Sequence, residues 1–525
     1  MSETRRGAVR LASNYTRLLL SVSLGILQVP LLLNLLGIDA YGVWGLMGTT
    51  VGFAAMFREI IRYSLNRELG QAWHAPDPQR FPIVYNSAIV LCGFAAILSS
   101  LVFAILYAVV PVLNIPPELH DATRQVILAK GLYTVCFIVL SPQFNTYIVS
   151  ERMVAFNVWT LLDRSSYVIV AAILFYGIGY EDQGRALAHF CWLGAGLATL
   201  FLFISVAIIM AKEPRLKVRR SLMSKGEVRD ILRTSGWNGM VVLATTLHIR
   251  VDQLIMNLAF GVVGNAAFTI GLRLASYVRQ LATGMSDGLD AVSVRLAETG
   301  TAKDLRQMLR QSTRLHAWVS IPAALGVVLL IEPLVHLWIG KNETRQDVID
   351  LAMILGQVFL VGMSVRGIAD GWVRFLYGSG HIKAIAPVVL IGGFCNPLLA
   401  TLLLFMLPEG LDKTAPAVAF TAIMILVHSI WLPARGAKCL EIPIWAMYRP
   451  IVRPALVAVA CLPVLAAFRM VVEHWTVWLL LAAIGSYGLV YIVGSLLFVM
   501  HRDERQRFAK AIRRRRARRK AASTG

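Results

Sequence analysis

Eight basic side chains, Arg17, Arg58, Lys130, Arg164, Arg250, Arg273, Arg279 and Arg366, fall within or near the ends of apolar stretches. Each stretch is about 20 residues long, enough to cross a bilayer as a helix. A cation at mid-bilayer costs about 2.5–3.5 kcal/mol on insertion scales, so each must face a wet cavity or a partner rather than lipid. Helical spacing groups them with other polar residues. Asn14, Arg17, Ser21 and Gln28 share a face, as do Asn157, Thr160, Arg164 and Tyr167 beside Asp163. Arg58, Arg62 and Asn66 recur every fourth residue next to Glu59, and Arg366, Asp370 and Arg374 follow the same spacing; Arg273 precedes Tyr277 by one turn. Arg366–Asp370–Arg374 and Glu59–Arg62 read as ion pairs joining helices, while Arg58 and Arg279 can snorkel.

Acids are too few to pair the rest. The first ten spans hold only Glu59, Asp163, Asp252, Asp287, Asp290 and Asp370 inside or near their ends. A positive surplus within a membrane points to a cavity for an anion. Guanidinium groups suit a phosphate-like group because their planar fork makes bidentate, charge-assisted hydrogen bonds. The rise of a helix places Arg17 and Arg164 towards the inner side, Arg250 and Arg273 from the middle outwards, and Lys130 towards the outside. The candidate substrate-binding residues are therefore Arg17, Arg58, Lys130, Arg164, Arg250, Arg273 and Arg366; Asp252, Asp163 and Asp370 are candidate coupling or structural acids. Asp252 could bond Arg273 on the neighbouring helix, and the coupling ion would be a proton or sodium. The six cysteines are scattered singly, with no CxxC pair and no histidine cluster at metal-ligand spacing, so no cofactor or metal is expected.

The elements that must hold these residues follow from composition. The chain is 57% hydrophobic and 15% charged, which predicts an all-α polytopic membrane protein. Fourteen spans are expected, near 11–36, 41–61, 83–110, 123–149, 155–178, 186–210, 234–260, 265–290, 315–332, 349–376, 384–407, 415–432, 450–469 and 476–500. With the N-terminus inside, the inner ends carry 37 Lys and Arg residues and the outer ends 6. That asymmetry orients the chain with both termini cytoplasmic. The N-terminus lacks the short apolar region and small-residue cleavage site of a signal peptide. The net charge of +21 is thus mainly a topology signal. The tail RDERQRFAKAIRRRRARRK can also hold anionic membrane lipids, and no nucleic-acid partner is expected.

LLGIDAYGVWGL (35–46) and LAFGVVGNAAFTIG (258–271) both join long spans through a tight glycine turn, with Gly37 and Gly261 224 positions apart. This repeat divides the chain into an N-lobe of six helices (1–210), a basic cytoplasmic linker (211–233), a C-lobe of six helices (234–440), two extra helices (441–500) and a basic tail (501–525). Two related bundles around a central cavity suit alternating access.

The stretch 14–46, a long helix with Pro30 followed by Leu36-Gly37 to Tyr41-Gly42 and Trp44, resembles the opening of polysaccharide-transporter (Wzx-type) flippases of the multidrug/oligosaccharidyl-lipid/polysaccharide exporter superfamily. RVDQLIMNLAFGVVGNAAFTIGLRL (250–274), EPLVHLWIG (332–340) and SPQFNTYIVSERMVAFNVW (141–159) resemble further segments of that family. FREIIRYSLNRELG departs from it, adding charge where the family carries small residues. The resemblance implies a flippase moving an undecaprenyl-diphosphate-linked oligosaccharide across the inner membrane for polysaccharide biosynthesis, with polysaccharide polymerase and glycosyltransferases as neighbours. Trp44, Trp159, Tyr167 and Tyr277 would be available to stack on sugars. A lipid II flippase, whose superfamily members carry a similar extra helix pair, is an alternative, as is a multidrug exporter, though that would want an acidic cavity. An enzyme, a membrane glycosyltransferase or polymerase, would need a large outer loop or an outer DxD pair, and neither is present. A scaffold without transport would leave charge at several depths unexplained.

Overall fold

The computed structural model describes residues 3–284, 301–340 and 345–500. The basic tail, Asp287 and Asp290 lie outside the described residues, as does the side chain of Arg58. Every regular element among the described residues is helical. In chain order these are α1 (Glu3–Trp73), α2 (Arg80–Ala108), α3 (His120–Val139), α4 (Ser141–Val149), α5 (Met153–Gly177), α6 (Gln183–Lys212), α7 (Lys225–Thr246), α8 (Asp252–Thr283), α9 (Ala302–Leu329), α10 (Ile331–Ile339), α11 (Gln346–Gly378), α12 (Ile382–Met406), α13 (Ala415–Met424), α14 (Leu432–Cys439), α15 (Trp445–Ala460), α16 (Leu462–Val471) and α17 (Val477–Phe498).

Eleven helices among the described residues are long and apolar enough to cross a membrane, or twelve with the α9–α10 pair, which bends by 75°. Two of them are doubled. Straight, the 71 residues of α1 would reach about 105 Å, more than three hydrocarbon thicknesses. Instead the chain breaks at Gly37, with φ 69° and ψ 177°. Helix α8 breaks at Gly261 with φ 67° and ψ −169°. Both positions need a positive φ, which glycine supplies without a Cβ penalty. Two positions paired by sequence repeat therefore share one backbone conformation, and dividing α1 and α8 there reconciles the twelve spans with the fourteen expected.

Apolar side chains that a soluble fold would hide point outwards, among them Phe94, Leu101, Leu398, Phe405, Leu489 and Trp478. Such a band is satisfied only by hydrocarbon. The protein is a multi-pass membrane protein with N- and C-terminal lobes. Helix α1 packs on α2, α3, α4, α5 and α6, and also reaches α7 and α8, so it joins the N-terminal bundle to the next one. Helix α8 packs most extensively on α11. The last helices cover α9 through a small core of Leu330, Ala458, Leu465, Ala483, Tyr487 and Tyr491.

Three local features differ from the sequence expectation. Leu140 and Pro142 separate α3 from α4 within the expected fourth span. The EPLVHLWIG stretch, between the expected ninth and tenth spans, forms α10, and Glu332 on it bridges Arg469 of α16 at 2.6 Å. Two π-helical turns, Leu247–Val251 and Ile425–Trp431, interrupt the C-terminal bundle. Wide turns of this kind are rare and mark functional positions in many proteins.

Candidate functional site

The two glycine turns meet face to face. Asn265 donates a 2.8 Å hydrogen bond to the Gly42 carbonyl. A Cβ on Gly42 would lie 2.0 Å from the Val262 carbonyl oxygen, so only bare backbone fits. From there a polar seam runs along the lobe interface. Gln253 bonds Thr49 across it and donates to Thr269 at 2.7 Å. Arg250 crosses it to the Gly48 carbonyl at 2.9 Å, lying against the bare backbone of Gly52. Further along, Arg273 reaches Gln28 at 3.4 Å and Trp338 donates to the Ile26 carbonyl at 2.7 Å.

Cations converge on this seam. Lys130 of α3 is buried, and its Nζ lies 3.4 Å from the centre of the Trp44 ring. Trp44 in turn packs against Tyr167 and Phe190. Arg250 and Arg273 both lie within electrostatic reach of Lys130. Among the described residues, neither Lys130 nor Arg273 contacts a carboxylate; Lys130 lies on the Trp44 ring, and Arg273 reaches the Gln28 amide and the Tyr277 side chain. Beside Arg273 stands Tyr41, whose buried hydroxyl has no hydrogen-bond partner among the described residues. Buried polar groups without partners are uncommon and call for a ligand or water.

Arg17, Arg164 and Arg366 are matched locally. Arg17 and Arg164 share a cavity of about 300 Å³ in the N-terminal lobe with Glu59 and Asp163, two cations facing two carboxylates. Phe137, Phe144, Phe156 and Trp159 wall it, and Asp163 accepts a 2.5 Å hydrogen bond from Tyr133. In the C-terminal lobe Asp370 is held between Arg366 at 3.3 Å and Arg279 at 2.8 Å. Arg279 thus pairs across helices instead of snorkelling. Arg366 also reaches Thr245 at 3.2 Å and His428 at 3.5 Å.

Asp252 does not bond Arg273. It is fully enclosed, and Asn396 of α12 donates to its two carboxylate oxygens at 2.8 and 2.7 Å. The same amide touches the carbonyl of His248 at 3.3 Å. His248 and His428 sit in the two π-helical turns, their rings 6.3 Å apart. Asn396 and His428 were not singled out from the sequence. The available signal was a lone polar residue in an otherwise apolar span, GGFCNPLL and MILVHSIW.

Known proteins carry the same architecture. Residues 240–402 match the MatE family model. The lipid II flippase MurJ, in an inward closed conformation, superposes with a TM-score of 0.67 over 92% of this chain and 98% of its own, at 13% identity. An inward-facing multidrug resistance MATE family transporter of the MOP superfamily gives 0.67 over 82% of this chain and 99% of its own, also at 13% identity. The chain has the MurJ and MATE fold. The coverage differs between these two by about the length of α15–α17. The uncharacterized membrane protein EpsK of Bacillus subtilis (strain 168) is 21% identical over 513 residues, covering 96% of this chain and 98% of that protein.

Proposed function

We propose that this protein is a flippase that carries a lipid-linked, undecaprenyl-diphosphate oligosaccharide from the cytoplasmic to the outer leaflet of the inner membrane, for polysaccharide biosynthesis. The observation that carries the reading is the group of Lys130, Arg250 and Arg273 at the lobe interface, where Lys130 and Arg273 contact no carboxylate among the described residues. A diphosphate would supply the missing charge through bidentate bonds to the arginines. The bundles 1–210 and 234–440 would rock about the linker 211–233, exposing the site to each side in turn. Both termini would be cytoplasmic, and polysaccharide polymerase and glycosyltransferases would supply and consume the cargo.

The N-terminal cavity, aromatic-walled and charge-balanced, suits the neutral part of such a cargo better than its diphosphate. Paired carboxylates and guanidiniums offer both acceptors and donors to sugar hydroxyls, and Trp159 offers a flat apolar face. A lipid II cargo is the second reading, favoured by the 92% coverage of MurJ. A cation exporter fits poorly, because the unmatched charge at the seam is positive.

The test is transport by the purified full chain in vesicles, with the cargo's accessibility to a membrane-impermeant reagent as the signal. A polyprenyl-diphosphate oligosaccharide should move, and the same lipid without phosphate should not. Equal movement of both, or of neither, contradicts the reading.

A further inference from the structure

A second cavity, of about 400 Å³, lies between α4, α5 and α6 and is lined by Tyr147, Arg152, Ala155, Val158, Trp159, Ile208 and Lys212. It is separate from the lobe interface. Its two cations sit at one rim: Arg152 immediately precedes α5, and Lys212 ends α6. Helix α6 has 30 residues, about 45 Å, so its ends lie in the headgroup layer of a bilayer. The rest of the lining descends from that rim into the apolar depth. Val158 and Trp159 lie one to two turns deeper along α5, and Val158 is half exposed on the outward face.

The rim charge is incompletely used. Glu213 is held by Arg215 at 2.8 Å and stands 3.9 Å from Arg152, beyond hydrogen-bonding distance. The Nη1 of Arg152 is buried and has no hydrogen-bond partner among the described residues. Among the described residues Lys212 contacts no carboxylate, and it is exposed at the rim. Arg215, the third cation nearby, is engaged by Glu213, lies 3.6 Å over the Trp73 ring and is not part of the cavity lining. A buried guanidinium nitrogen with no acceptor, a free ammonium and a Trp above an apolar trough at interface depth together match a phosphodiester with a hydrocarbon tail.

We infer that Arg152 and Lys212 form a binding site for the headgroup of one anionic phospholipid, with its acyl chain along Val158 and Ile208. The phosphate lies between the two cations, and the indole of Trp159 closes the inner end. Trp159 also walls the N-terminal cavity, so the bound lipid packs against the back of that wall.

Native mass spectrometry of the full chain, titrated with phosphatidylglycerol or phosphatidylcholine, tests this. One phosphatidylglycerol should be retained in preference to phosphatidylcholine. The preference should fall roughly fivefold for each of Arg152→Gln and Lys212→Gln, the loss expected for one interfacial charge, and should survive in the charge-conserving pair Arg152→Lys, Lys212→Arg. Lys217→Gln, on the same basic linker but outside the cavity, should leave it unchanged. Unaltered retention in the double Gln variant overturns the site, as does an equal loss in Lys217→Gln. Displacement of the lipid by millimolar inorganic phosphate would overturn it too, making this a free-anion site. A melting curve of each variant separates lost binding from lost fold.

Discussion

Asn265 on α8 donates its side-chain hydrogen bond to the backbone carbonyl of Gly42 on α1, and around that 2.8 Å contact the two lobes meet through bare backbone. Gly42→Ala would place a methyl 2.0 Å from the Val262 carbonyl oxygen, which a backbone cannot yield cheaply. The lobes must then part, at about 1–3 kcal/mol. Gly48, only six residues on, has nothing within 4 Å of its Cβ position. Thermal unfolding in detergent should show Gly42→Ala clearly less stable than the parent and Gly48→Ala close to it.

Asp370 answers two arginines, Arg366 buried and Arg279 partly buried, and removing its charge strands both. Asp370→Asn should destabilise the fold by about 3–5 kcal/mol, the usual consequence of breaking a buried ion pair from one side. Arg279→Ala leaves the Arg366–Asp370 pair standing and should be milder. Comparable stability of Asp370→Asn and the parent by thermal melting would show that the triad contributes no fold stability.

Asp252 behaves differently because its partner is an amide. With no arginine left unpaired, Asp252→Asn should keep the fold, losing about 1 kcal/mol with one hydrogen bond. If this enclosed carboxylate couples transport to a proton or sodium gradient, the variant should bind cargo normally and lose only its response to the gradient. Vesicles with an imposed gradient report this, and a full response in the variant excludes Asp252 as the coupling group.

Orientation rests on 37 basic residues against 6. Reporter fusions at positions 38, 115, 181, 340 and 411 should all report outside. An inside signal at any of the first four would break the assigned topology.

Much of the fold was legible because a membrane enforces simple rules: length, apolarity and basic loops indicate the spans, and Gly37 and Gly261 mark the repeat that the backbone then realises. The polar residues were legible as a population but not as pairs. Spacing along one helix indicated Arg366–Asp370, whereas Arg279–Asp370 and Asp252–Asn396 join helices distant in sequence, and no periodicity encodes them. The apparent surplus of cations also had to be divided. Arg366 and Arg279 pair with Asp370, Arg17 and Arg164 face Glu59 and Asp163, and among the described residues Lys130 and Arg273 remain without an acid. The π-helical turns left no mark in sequence beyond His248 and His428, because a single extra residue per turn does not alter an apolar pattern.

In the proposed mechanism Lys130 and Arg273 hold the diphosphate of the cargo. The most direct measurement is the initial rate of movement of a polyprenyl-diphosphate oligosaccharide in vesicles holding the Arg273→Ala protein at matched amounts. The rate should fall at least about tenfold, the effect of one charge-assisted bond, with only partial recovery in Arg273→Lys, which keeps the charge and lacks the fork. A parental rate in both Arg273→Ala and Lys130→Ala would contradict this mechanism.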